Sequence, residues 1–151
     1  MKLSLTHIII AIVALLSSAI VHAKVSDVTL KMSVLNEFTA AHNYVATFPS
    51  VMYFDDQGEL VSVMDLTLDS RFDADQLVKN SAAKHAGDTP DIQLEEFFKS
   101  LDVQSQAQAP ALVFITLDLN QCRACAVNEQ LVRAWADSQA LHVYVARVEF
   151  R

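Results

Sequence analysis

The chain has 151 residues, 52% of them hydrophobic, and its 11 Lys and Arg against 18 Asp and Glu give a formal charge of −7. That balance supplies no basic footprint for nucleic acid or for an anionic membrane surface, and acidity of this kind keeps a protein soluble. Only two glycines are present, so there is no Gly-rich loop to cradle phosphates, and no serine sits in a nucleophile-elbow context.

The first 23 residues have the pattern of an export signal. Lys2 is the basic start, Ile8 to Val21 is an apolar stretch softened by Ser17 and Ser18, and Val21-His22-Ala23 ends in a small residue suited to cleavage. Residues 1–23 are therefore expected to be a signal peptide, directing the protein to the periplasm or the exterior. The stretch is shorter than the roughly 18 apolar residues of a membrane span; an uncleaved anchor is the rival reading and the one route to a membrane. Cleavage would leave residues 24–151, with 10 basic against 18 acidic side chains and a formal charge of −8, which is the size of one domain around one core.

Val28 to Leu35 mixes β-branched and other apolar residues over strand length, and Asn36 is placed to cap a short helix carrying Phe38, Ala41 and Val45. Ser50 to Phe54 and Glu59 to Leu66 are apolar runs joined by Asp55-Asp56-Gln57-Gly58, a hairpin pattern with Pro49 at its mouth. The next helix has clear ends. Asp73 can cap it, Phe72 and Leu77 are spaced as a hydrophobic staple, and Lys84, His85 and Gly87 suit its C-terminus.

Thr89-Pro90 reads as the start of a further helix through Ile92, Leu94, Phe97, Phe98 and Leu101, with proline at its first position. Val103 to Ala109 is a polar connector, and Leu112 to Leu117 is the almost continuously apolar run of a strand covered on both faces. After the cysteines, Val127, Leu131, Ala134 and Trp135 fall at helical spacing as one buried stripe. Leu141 to Phe150 closes the chain as a strand, and the crossover rule makes it parallel to the strand before the helix.

Cys122 and Cys125 are the only cysteines. A disulfide between them would close so short a ring that it removes only about 2 kcal/mol of unfolded-chain entropy, against roughly 4 for a loop of several tens of residues. A pair at a strand-to-helix junction suits reversible redox chemistry better, because the helix N-terminus and Arg123 favour a thiolate on Cys122. Cys122 is the expected nucleophile and Cys125 the resolving thiol. Three other uses of the pair stand beside this one: an inert or merely stabilising disulfide, a soft Cu(I) site, and zinc, which would need two more ligands. His42 and His142 read as surface or half-buried fillers, His85 as a helix C-terminal cation, and Trp135, Phe97 and Phe98 as core. Glu95-Glu96 and Asp55-Asp56 read as solvated.

In two places the sequence resembles the thioredoxin-like superfamily. Asp91 to Phe150, with a helix, a buried strand, a CxxC helix and a following strand, looks like that fold's opening. Val28 to Lys84, with Thr47-Phe48-Pro49-Ser50 resembling the family's cis-proline loop ahead of a strand, hairpin and last helix, looks like its closing part. The halves stand in reversed order, as in a circular permutation that joins the family's ends near Gly87-Asp88-Thr89-Pro90.

The resemblance implies an α/β three-layer sandwich, a mixed sheet of about five strands with helices on both faces, and Val28 to Leu35 as an edge strand beside the terminal one. It implies a reversible Cys122–Cys125 disulfide, a cis Pro49 opposite Cys122, and a substrate surface formed by Phe48, Pro49, Arg123 and Ala124. The chemistry would be disulfide exchange with protein thiols, with no cofactor and no metal; the alternatives are a noncatalytic binding or accessory protein and a Cu(I) carrier. Three features depart from the family pattern. Gln121 replaces the usual aromatic residue, Arg123-Ala124 replaces Gly-Pro, and Thr116 stands near the family's buried acid, with Asp118 a loose substitute.

Overall fold

The computed structural model describes residues 24–66, 70–82, 90–103, 107–117, 122–139 and 141–150. The expected signal peptide at 1–23, the expected helix end at Lys84, His85 and Gly87, the expected junction at 87–89, Asp118 and Gln121 lie outside the described residues.

The described elements are β1 (Val25–Lys31), α1 (Met32–Ala41), β2 (Ser50–Phe54), β3 (Leu60–Asp65), α2 (Ala74–Ala82), α3 (Leu94–Ser100), β4 (Ala111–Thr116), α4 (Arg123–Gln139) and β5 (His142–Glu149). They build one mixed five-stranded sheet in the order β1-β5-β4-β2-β3. β5 runs parallel to both β1 and β4, while β2 is antiparallel to β4 and β3. The expected five-stranded α/β architecture and the parallel pairing across the crossover are both present.

Side chains alternate across the sheet and divide the core in two. Val113 and Ile115 of β4, Met52 and Phe54 of β2 and Tyr144 of β5 point to the side where Leu35 and Phe38 of α1 and Phe97 and Phe98 of α3 pack. Leu112 and Phe114, Val51, Val143 and Val145 point to the other side, against Leu77 of α2 and Val132 and Ala136 of α4. The molecule therefore has a helix layer on each face of its sheet. Phe97 anchors the first side, meeting Phe38 edge-on at 5.1 Å and Phe98 at 5.6 Å between ring centres.

The hairpin forms as its composition demands. The Asp55 carboxylate accepts the amides of Gln57 and Glu59, and Gly58 takes φ 79°, a conformation that costs glycine little. Asp73 caps α2, its Oδ1 accepting the amides of Asp75 at 3.0 Å and Gln76 at 3.2 Å. Phe72 and Leu77 are both buried in the same cluster, as a staple requires.

Three sequence readings are corrected. The first strand ends at Lys31 and α1 begins at Met32, so Asn36 lies inside the helix and caps nothing; Lys31 is the residue before the helix, with no side-chain cap bond. Pro90 does not open α3. Ile92 and Gln93 are extended, because the Ile92 carbonyl accepts the Leu60 amide and Gln93 bridges to Glu59, so the helix begins only at Leu94.

The stripe read on α4 is the wrong face. Val127 and Leu131 are 39% and 37% exposed, Ala134 is exposed and Trp135 half-buried against Phe72. The buried face is Cys125, Asn128, Glu129, Val132 and Ala136.

Replacing Asp73 with Ala should lower stability by about 1 kcal/mol by removing the α2 cap. Urea unfolding of the two proteins should show a lower midpoint with an unchanged slope; an unchanged midpoint would mean that the cap contributes nothing.

Candidate functional site: the cysteine pair at the head of α4

The site is set by β4. Its six residues are buried, and the chain leaves its C-terminal end to reach Cys122, which stands immediately before α4. Cys122 behaves as a helix-capping residue: its carbonyl accepts the Ala126 amide and its sulfur accepts the Cys125 amide at 3.2 Å. Cys122 and Cys125 are joined as a disulfide, with Cα atoms 5.2 Å apart. Cys125 is completely buried and Cys122 keeps 8% of its surface exposed. Of the two, only Cys122 keeps any exposed surface. Arg123 is exposed between them and Ala124 half-buried.

The Phe48–Pro49 bond is cis, and so is Ala109–Pro110 at the start of β4. Pro49 comes just before Ser50, which pairs with Ile115 near the end of β4. Pro49 thus lies at the end of the sheet where β4 has its C-terminal end. The loop around it is tied to the end of β3: the Leu66 amide donates to the Pro49 carbonyl, and the Thr47 hydroxyl donates to the Asp65 carboxylate. Phe48 is half-buried and Pro49 buried.

Two polar residues on the inner face of α4 escaped the sequence reading. Asn128 is 1% exposed. Its Oδ1 accepts the Phe72 amide at 2.7 Å, and its Nδ2 donates to the carbonyls of Ala124 at 3.0 Å and Ser70 at 3.3 Å. One side chain therefore ties the cysteine turn to the segment ahead of α2. Glu129 follows, receiving hydrogen bonds from Arg133 and Arg147. Burial works against ionising its carboxyl, but the bonds from Arg147 and Arg133 outweigh it and hold the group below the ordinary glutamate range. The signal for both was the spacing of 125, 128, 129, 132 and 136, a helical face that the more apolar stripe obscured.

Thr116 is buried at the end of β4 and donates its hydroxyl to the Leu117 carbonyl. His142 lies at the opposite end, at the start of β5. It is stacked on Tyr144 at 4.3 Å and donates from Nδ1 to Gln108 Oε1, while Nε2 accepts the Ser26 hydroxyl. This is a buried, satisfied histidine. His42 is half-buried against the Phe38 ring. Among the described residues no group of three His, Cys, Asp or Glu is placed to hold a metal, and no helix is long and apolar enough to cross a membrane.

Comparison with protein-family models, with curated proteins and with solved structures finds no match to this chain.

Asn128→Ala should destabilise the fold by about 1–3 kcal/mol, since the Phe72 amide and two carbonyls lose their partner; equal urea midpoints would refute this. His142 supplies a pH dependence of definite sign. Burial, with a smaller contribution from Lys24, holds its pKa below the ordinary 6.5, so the unfolded chain takes up this proton first. Its stabilising contribution is complete above that value and is lost as pH falls through it toward the folded-state pKa. Stability should decline as pH falls through the ordinary histidine value of 6.5, and His142→Gln should make that decline shallower; parallel profiles would remove His142 as the cause.

Proposed function

We propose that this chain is an exported thiol–disulfide oxidoreductase of circularly permuted thioredoxin-like build, exchanging disulfides with protein thiols through Cys122 and Cys125. The observation that carries the reading is the position of the pair: a CxxC disulfide capping a helix at the C-terminal end of the sheet's central strand, with Cys122 alone keeping exposed surface. The helix N-terminus and Arg123 favour negative charge on Cys122 over Cys125.

The strand order supports the permuted reading. β4, α4 and β5 correspond to the family's cysteine-bearing unit, α3 to the helix ahead of it, and the Pro49 loop with β2, β3 and α2 to its closing part. β1 lies at the edge beside β5. Phe48, Pro49, Arg123 and Ala124 would form the surface against which a partner's extended segment rests. The leader at 1–23 would deliver the protein, after cleavage, to the periplasm or the exterior, where a disulfide persists.

In the reducing direction, Cys122 thiolate attacks a partner disulfide and one partner sulfur leaves as thiolate. Cys125 thiolate then attacks Cys122 in the mixed disulfide, and the second partner thiolate departs; two electrons pass from the pair to the partner. The reverse steps oxidise a partner dithiol. Burial of both cysteines favours one other reading, a noncatalytic accessory protein whose disulfide is a fixed staple.

Titration of the pair in glutathione and dithiothreitol buffers, read by alkylation and mass spectrometry, separates the two. A reversible transition between about −120 and −270 mV supports exchange, whereas a pair oxidised below about −300 mV is structural. Cys122→Ser should abolish insulin reduction and Cys125→Ser should accumulate mixed disulfides. Equal residual activity in both variants would overturn the assigned roles.

A further inference from the structure

One turn beyond Cys125, on the same buried face of α4, a carboxylate is held by two guanidiniums. Glu129 is 7% exposed. Its Oε1 accepts from Arg133 Nη2 at 2.7 Å, Arg133 Nε at 2.9 Å and Arg147 Nη2 at 3.1 Å, and its Oε2 accepts from Arg147 Nη1 at 3.1 Å. Asp27 of β1 approaches the same guanidiniums, at 3.4 Å from Arg133 and 3.5 Å from Arg147. Such a buried ionic group is poor evidence of stabilisation, because apolar residues of similar volume usually do as well or better. Its place on the cysteine helix points to a use of the charges themselves.

Side chains four apart on a helix have Cβ atoms about 5–6 Å apart, so Glu129 is a direct neighbour of Cys125. Arg147 pairs in register with Thr116, the last residue of the strand that leads to the cysteines. Among the described residues, the charged groups on the elements around the cysteine turn are Arg123, Glu129, Arg133 and the exposed Asp137 of α4, Arg147 and the exposed Glu149 of β5, Asp27 and the exposed Lys31 of β1, and the exposed Arg71 and Asp73 beside Phe72. β4 contributes none, and Asp65 at the end of β3 is engaged by Thr47. Arg123 and Glu149 are exposed and screened by water, whereas Glu129 acts through protein of lower dielectric.

We propose that Glu129 and Arg147 are positioning residues whose opposed charges set how readily the reduced Cys122 ionises, and through it the redox balance of the pair. The inference rests on the exchange activity proposed above. Reduction breaks the Cys122–Cys125 bond with two electrons and two protons taken from an external dithiol, which itself becomes a disulfide. Cys122 then releases one proton to solvent as it ionises. Removing the negative charge of Glu129 favours that release and the reduced form; removing the positive charge of Arg147 opposes both.

The test uses the exported protein, reduced with dithiothreitol and freed of it, with iodoacetamide as probe and the Cys122 peptide quantified by mass spectrometry across pH. Glu129→Gln should raise the alkylation rate at pH 6 by on the order of three- to tenfold, and Arg147→Gln should lower it comparably. The double variant should return toward the parent. Urea midpoints, taken in parallel, read the structural cost, which falls in the same direction for both single variants. Arg133→Gln, at a half-exposed position that leaves Arg147 on Glu129, should give a smaller shift in the Arg147→Gln direction and serves if the others do not fold.

Alkylation profiles that stay at the parent's, or that move in one direction for both charge signs, would overturn the proposal and leave the network a structural tie. Failure of the parent to exchange with glutathione would instead sink the activity, while the reduced thiols still report the charges.

Discussion

Strand β4 has no face turned to water: all six of its residues from Ala111 to Thr116 are buried, and β5 and β2 take up its two edges. A strand in that position must be covered above and below, since each Val, Leu, Ile or Phe it carries is worth about 1.5–3 kcal/mol only once removed from solvent. Four amphipathic helices meet the demand, α1 and α3 on one face and α2 and α4 on the other. The connection from β4 through α4 back to β5 then needs a turn at the C-terminal end of the central strand, where helix N–H groups face outward. The cysteines occupy that turn.

What could be read from the sequence was what is decided locally. The hairpin declared itself because Asp55 and Gly58 satisfy the turn within four residues. α2 did so because Asp73 and the pair Phe72 and Leu77 fix its start from within the chain around it. β4 and β5 were visible as apolar runs, and the cysteine pair as the chain's only thiols.

The misread elements were decided at a distance. Pro90 has the right residue type for a helix start, but Ile92 and Gln93 are held extended by Leu60 and Glu59 of the hairpin. Asn36 has a capping side chain, but β1 ends at Lys31, where its parallel pairing with β5 ends at Glu149. On α4, the more apolar stripe turned outward. The inner face needs a side chain for the Phe72 amide, 56 positions away, and a carboxylate for Arg147 of β5. Neither partner is close enough in sequence for spacing on α4 to announce it. The dithiol was therefore legible, while the groups that hold and charge its helix were not.

The pairing of β1 with β5 has a consequence for how the chain is made. Val25 lies beside Val143, so the first described strand finds its neighbour 118 positions later. Loops of that length close slowly, and topologies dominated by such contacts fold late relative to local ones. A ribosome delivers β1 first and β5 last among the described strands. Until β5 emerges, β1 has no strand to join, whereas the hairpin of β2 and β3 can already pair with β4. Completion of the sheet thus waits for β5, the last of the described strands, and comes after the segment bearing both cysteines has emerged.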